Sequence, residues 1–460
     1  MRPSVRRLGC LAASAALALG VLGAAPASSA RPLAAGAGGA GGRAVPGDEP
    51  LPGYTIDNPP LPPAAVRGAP ARVLQGVHEH AAYDIEVPPR WNGELVMWAH
   101  GFRGNGTVLT VDVPAFGLRQ KLLDEGYAWA ASSYADNGYD VRAGVLNTED
   151  LALLFRRLVR PPRRTMIAGV SMGGHIIGRS LEQFPGLYAG ALPMCGVLGD
   201  DALFDFFLDY NVVAQDLAGV RAYPIPADYL TSAVPRIEHA LGLDALRPGG
   251  QDTTTDLGKQ FRSIVVNRSG GPRPGAEQAL SVWKDFLFTV VTTTAGTTLA
   301  QNPGPLATNV GTRYAPNTPV DVNGTVQRVP VADPKDRFTR RLIQVPRIVG
   351  RPSAPVLTLH DLGDMFVPFS MEQLYRADVT RHGRGGLVVQ RAIRAAQHCE
   401  FSGVEAGTAW DDLAAWVHRG VRPAGDDVTR PGAATFGCRF SDPAAYAAGT
   451  GTRRLFPACP

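Results

Sequence analysis

Three side chains, far apart in the chain, would together make a serine reactive toward a carbonyl carbon: Ser171 in "GVSMGG", Asp364 in "LHDLGDMFVP" and His398 in "QHC". A serine hydroxyl is a poor nucleophile until a base takes its proton, and an imidazole does this best when a carboxylate fixes its tautomer and orientation. The chemistry implied is nucleophilic acyl transfer through a covalent intermediate. Gly169 and Gly173, two residues either side of Ser171, suit a turn so tight that only small side chains fit and the serine is held at strained backbone angles. In a chain with 53 glycines and 16 serines the five-residue pattern is weak by itself. It needs a strand entering it, a helix leaving it, and its partners in later loops.

The negative charge that develops on the attacked carbonyl also needs preorganised donors. One is the backbone N–H of Met172, at the start of the following helix, where the helix dipole favours an anion. The other is expected at Phe102 in "AHGFRGNG", where His100-Gly101 lets the backbone turn tightly. Both the acid and the base have rivals. Asp361 lies nearer than Asp364 to the end of the preceding strand, whereas Asp364 with Val367-Pro368 beyond it suits the loop better, so both stay candidates for the acid. His360 ends a strand directly before that loop and His382 falls in a turn, which favours His398 as the base. His78, His80, His239 and His418 are read as packed or solvated.

Hydrophobic patterning indicates the scaffold that would hold these residues. Short buried strands are expected at Tyr83–Val87, Leu95–Ala99, Ala128–Ser133, Thr165–Val170 and Tyr188–Cys195, with helices near Phe116–Asp124, Thr148–Val159 and Met172–Phe184. From about Leu198 to Ile348 the alternation stops, and helix-like segments lie among loops rich in Pro, Thr and Asn. It resumes with a strand at Ala354–His360, a helix in "SMEQLYRADV", a strand in "GLVVQRAI" and a closing helix in "AGTAWDDLAAWVHRG". Strands alternating with helices in this way predict an α/β fold, a mostly parallel sheet with helices on both faces. The expected organisation is a core of 71–197 and 349–425, a large, mainly helical cap insertion at 198–348, and a cysteine-containing tail at 426–460.

The N-terminus has Arg2, Arg6 and Arg7 ahead of an apolar run, then small residues suited to cleavage after Ala27 or Ala30, which predicts a secretory signal peptide over 1–30. No later apolar stretch is long enough to span a bilayer, so no stable membrane insertion is expected after cleavage. Residues 31–70 are so rich in Ala, Gly and Pro that a disordered leader is expected. The formal net charge is +4 and the basic residues form no run or stripe, which gives no support to nucleic-acid binding. Without Cys10 of the signal, Cys195, Cys399, Cys438 and Cys459 remain, an even number in an exported chain. Two disulfides are expected, with three possible connectivities. No spacing suits a structural zinc site, and no metal or organic cofactor is expected.

The strand-turn-helix around Ser171, the order Ser171, Asp364, His398, and the stretches "WAHGF", "GVSMGG", "PVLTLHDLGDMFVP" and "QHC" together resemble the α/β-hydrolase superfamily over about Tyr83 to Gly420. The resemblance implies an α/β-hydrolase fold and a serine hydrolase working through an acyl-enzyme on a small-molecule or peptide acyl substrate, with esters expected ahead of amides and peptides, and an acyltransferase on the same triad or a non-catalytic binding protein behind them. It implies Ser171 as nucleophile, His398 as base, Asp364 as orienting acid, and the N–H groups of Phe102 and Met172 as the oxyanion hole. One departure is that the acid loop commonly reads His-Gly where this chain has His360-Asp361. "HC" is similar to tannases and feruloyl esterases, in which the cysteine pairs with one just before the serine; here Val170 holds that position. The exported, capped layout also looks like secreted tripeptidyl aminopeptidases, in which cap carboxylates bind a free amino terminus. Asp200, Asp201, Asp205 and Asp209 could do so, although a solvated acidic helix start is the expectation. Cys195 and Cys399 fall at strand ends on the expected active face while Cys438 and Cys459 share the tail, so the pairs expected are Cys195 with Cys399 and Cys438 with Cys459.

Overall fold

The computed structural model describes residues 47–291, 306–332, 334–337 and 339–459. The expected signal peptide and the first part of the leader lie outside the described residues. Eight strands form one sheet: β1 (Arg72–His78), β2 (Ala81–Val87), β3 (Glu94–Ala99), β4 (Ala128–Ser132), β5 (Arg164–Val170), β6 (Ala191–Met194), β7 (Val356–Asp361) and β8 (Val388–Ile393). Their spatial order is β1-β2-β4-β3-β5-β6-β7-β8. β2 runs antiparallel to both neighbours and every other pair is parallel. This is the α/β-hydrolase fold expected from the sequence.

The central strands are buried along their whole length, as parallel strands covered on both faces must be. On one face lie α2 (Val141–Leu158), α3 (Met172–Gln183) and α8 (Ser370–Arg381), with Val145, Phe155, Ile176, Leu181 and Tyr375 in the core. On the other lie α1 (Leu118–Asp124) and α9 (Gly403–Arg419), packed through Leu118, Leu122, Trp410 and Leu413. α2 begins at Val141, well before the expected Thr148, because the Asp140 side chain accepts from Ala143 N (2.8 Å) and caps an earlier first turn. α9 likewise starts at Gly403, with Ser402 and Glu405 forming a reciprocal capping box. Between β6 and β7 the chain lays down α4 (Ala202–Leu217), α5 (Tyr229–Leu241), α6 (Asp256–Arg268) and α7 (Ala276–Thr289), and no strand among the described residues.

The expectation of a disordered leader is corrected for residues 47–70. This strip has little ladder of its own, and side chains of the core meet its backbone instead: Gln75 Oε1 accepts from Leu61 N (2.9 Å), Glu86 Oε1 from Ala64 N (2.7 Å), and Arg119 donates to Pro62 O (2.7 Å). Polar groups inside the fold that would otherwise go unpaired supply the order that composition denied. β1 also escapes the sequence pattern, since most of its side chains are half-buried and show no alternation.

Candidate active site

β5 ends at Val170, and the next residue reverses direction into α3. Ser171 sits at φ 57° and ψ −121°, outside the ordinary regions for a residue with a side chain. Its N–H donates to Met194 O (3.1 Å), and its own carbonyl accepts from Gly174 N (2.8 Å), which ties the turn to β6 and to the helix. A Cβ on either Gly169 or Gly173 would collide with the carbonyl oxygen of Ala99, at the end of β3. These two glycines let the elbow sit directly against the loop after β3. In that loop a Cβ on Gly101 would fall 2.9 Å from Ser171 Cβ, so its backbone passes hard against the serine. Phe102 comes next, half-buried. Its N–H and that of Met172 meet no acceptor among the described residues. His100 underpins the loop: its ring stacks on Tyr134 at 4.0 Å between centroids, Tyr134 Oη donates to His100 O (3.2 Å), and burial pushes its imidazole below the ordinary range.

The rival acids are separated by their partners. Asp364 is fully buried; its Oδ1 accepts from Phe366 N (2.9 Å) and Val367 N (3.0 Å), and its Oδ2 meets His398 Nδ1 at 2.6 Å. Asp361, at the end of β7, accepts from Glu400 N (2.7 Å) and makes no hydrogen bond with His398 among the described residues. Burial, then the charges of Asp364, Glu400 and Glu405, push the Asp361 carboxyl well above the usual carboxylate range. With Asp364 oxygen against Nδ1, the imidazole keeps its hydrogen there and leaves Nε2 as the basic nitrogen. Nε2 is shielded from solvent and has no hydrogen-bond partner among the described residues. Ser171 Oγ makes no hydrogen bond among them either. The Phe366 ring stands edge-on to the imidazole at 5.0 Å.

Two further residues brace the acid loop. His360 Nε2 donates to Val367 O (2.8 Å) while Nδ1 faces Glu372 at 3.3 Å; burial alone would lower this imidazole, but Glu372, Asp364 and the Val367 carbonyl together turn the net direction up. Arg273, just ahead of α7, donates to Leu362 O (2.7 Å), and burial pushes its guanidinium down to about 9 against the opposing pull of Asp364. Sequence spacing offered no signal for Arg273 or for this use of His360.

Cys195 and Cys399 are bonded, with Cα atoms 5.3 Å apart, as are Cys438 and Cys459 at 5.7 Å; both pairs are those expected. Cys195 follows Met194, whose carbonyl holds Ser171 N, and Cys399 follows His398. The first bridge therefore links the base loop covalently to the strand beside the elbow. A free-thiol metal site at Cys195, His398 and Cys399 is excluded by that bond, which leaves neither sulfur as a thiolate.

The acidic start of α4 is not solvated as expected. Asp200 and Asp201 are buried at the turn, and Asp209 is buried within the helix. Arg337 takes both Asp205 oxygens (2.9 and 2.6 Å) and lies 3.3 Å from Asp201. Asp200 accepts from Ile348 N (2.8 Å), and Asp209 from Arg268 (2.7 Å) and Tyr314. Burial, then the charge of Asp200, pushes Asp201 up to about 7; burial raises Asp209 to about 6. Ionised groups this deep must be paired, and the cations come from more than 50 residues away in sequence.

Neither protein-family models nor curated proteins match this chain. Solved structures do. An esterase from Aspergillus oryzae is similar over 75% of this chain and 78% of its own, at 14% identity and a TM-score of 0.45. Feruloyl esterase B from Aspergillus oryzae is similar over the same shares at 13% and 0.44. The acylaminoacyl peptidase of Pyrococcus horikoshii is similar over 78% of this chain and 43% of its own, at 11% and 0.40. The fold class rests on the strand order above.

Proposed function

We propose that the protein is an exported serine hydrolase that cleaves carboxylic esters through an acyl-enzyme. The observation that carries this reading is the 2.6 Å contact between Asp364 and His398 Nδ1, formed at the end of the sheet where the strained elbow presents Ser171. In this reading Ser171 Oγ attacks the ester carbonyl as His398 Nε2 takes its proton, and Asp364 stabilises the imidazolium that forms. The N–H groups of Met172 and Phe102 receive the oxyanion. The intermediate collapses with the proton passing from His398 to the departing alcohol oxygen. Water, deprotonated by the same nitrogen, then attacks the acyl-serine and releases the carboxylic acid.

The insertion between β6 and β7 serves as the cap, with Trp283 and Phe286 of α7 and Phe207 of α4 gathered at Phe366 beside the base. Esters are favoured over peptides with a free amino terminus because the α4 acids, the groups that would bind the amine, are engaged by Arg337, Arg268 and backbone N–H groups. Export accords with the paired cysteines and the N-terminal pattern. Assay of p-nitrophenyl acyl esters beside aminoacyl and tripeptidyl p-nitroanilides tests the substrate class. Turnover of the esters is expected; cleavage of the anilides at comparable or higher kcat/KM overturns the ester reading.

A further inference from the structure

Ala396 lies two residues before His398, and both of its backbone polar groups are held by side chains from outside the core. Its N–H donates to Thr452 Oγ1 in the C-terminal tail (2.6 Å). Its carbonyl accepts from Trp283 Nε1 on α7 of the insertion (2.6 Å). The same indole N–H also reaches Gly363 O (3.1 Å), the residue before Asp364, so one donor spans the acid loop and the base loop. The tail hydroxyl has a second hold, since Gln397 N also points to Thr452 Oγ1 (3.2 Å). It donates in turn to Glu400 Oε2, and Thr452 N donates to Glu400 Oε1 (2.9 Å), which closes the tail around the turn that carries His398 and Cys399.

Thr452 is fixed in its own right. Arg453 makes a buried two-point pair with Glu405 in the first turn of α9, at 2.8 Å to each oxygen, and donates to Glu400 O (2.9 Å). The Cys438–Cys459 bridge closes the tail on either side of it. Ala396 itself is fully buried, and neither its N–H nor its carbonyl belongs to a sheet ladder. Loss of either side-chain partner would leave a buried polar group unpaired and free the loop to shift.

From this clamp on Ala396 we infer that Thr452 and Trp283 are positioning residues for His398: tail and insertion together hold the imidazole in line with Asp364 and Ser171. The inference rests on the catalytic reading above. Its chemical reason is that proton transfer from Ser171 needs Nε2 in hydrogen-bond reach of the hydroxyl. A displacement of about 1 Å in such a group can cost about 100-fold in rate.

The test uses the full chain and p-nitrophenyl acetate, with Thr452→Val, Thr452→Ser and Trp283→Phe. Valine keeps the shape of threonine and removes the hydroxyl, serine keeps the hydroxyl, and phenylalanine keeps an aromatic ring and removes the N–H. Thr452→Val and Trp283→Phe are each expected to lower kcat by about 10-fold or more with KM within about 2-fold, as loss of alignment and not of ground-state binding. Thr452→Ser is expected to recover most of the loss. The low-field proton resonance of the Asp364–His398 hydrogen bond should broaden in the two impaired variants and persist in Thr452→Ser. Two folded variants with unaltered kcat overturn the inference, as does an equal loss in Thr452→Ser. If Thr452→Val does not fold, Trp283→Phe with the same readouts decides it. A folded wild-type protein that turns over no ester fails the catalytic reading itself, an outcome separate from variants that match an active wild type.

Discussion

Asp361 and Asp364 are three residues apart, of one type and both buried, yet their surroundings differ. Asp364 is surrounded by donors: two backbone N–H groups, an imidazole N–H and, nearby, the buried guanidinium of Arg273. Asp361 has one backbone donor and three acidic neighbours, so its carboxyl is pushed well up. Asp364→Asn, which replaces the carboxylate with a group that can present its amide N–H to Nδ1, is expected to cut kcat/KM by about 10³ to 10⁴-fold. Asp361→Asn, which keeps an oxygen for Glu400 N, should change it far less. The raised Asp361 carboxyl should also show in stability. A carboxyl whose folded pKa is raised favours the fold below its unfolded pKa and costs stability as pH rises through the unfolded value toward the folded one. Thermal unfolding should therefore show Asp361→Asn gaining on the wild type over the interval upward from about pH 4, the ordinary carboxylate range. An advantage that shrinks over that interval would contradict the assignment.

At the scale of elements, the site is built from the segments that leave the strands at one end of the sheet: the elbow after β5, Cys195 after β6, the acid loop after β7 and the base loop after β8. The Cys195–Cys399 bridge joins two of these across 204 residues, while Cys438–Cys459 spans 21. Chain-entropy reasoning gives about 5 kcal/mol for the first and about 3 kcal/mol for the second. Paired Cys→Ser replacement followed by urea unfolding should reproduce that order. Esterase activity per folded molecule should also fall further without Cys195–Cys399, because that bridge anchors the residue next to His398. Equal activity in the two double variants would show that the bridge adds stability without alignment. The strands were legible because parallel strands buried on both faces read as short apolar runs, and the elbow because strand, glycines and helix are contiguous. The starts of α2 and α9 were misplaced because the caps Asp140 and Ser402 lie outside the apolar pattern that marks the helices.

For the whole molecule, distance in sequence set the limit of what could be read. Residues 47–70 looked disordered because composition reports what a segment can bury by itself, and their partners Gln75, Glu86 and Arg119 are polar side chains of the core. The α4 acids looked solvated because Arg337 comes 132 residues after Asp205. Trp283 and Thr452 carry no motif; only the folded chain places them on Ala396. Ser171, Asp364 and His398 could be singled out as candidates because the proposed chemistry dictates their residue types and order. The choice between Asp364 and Asp361 was open in the sequence, and in the structure only Asp364 meets the imidazole. Every functional reading above depends on Ser171 being the activated nucleophile of this assembly. Treatment of the folded wild-type protein with a fluorophosphonate, followed by peptide mass spectrometry, should find one adduct, on Ser171, absent in Ser171→Ala and formed much more slowly in His398→Ala. A folded protein that takes up no label, or takes it up on another residue, would contradict that role for Ser171.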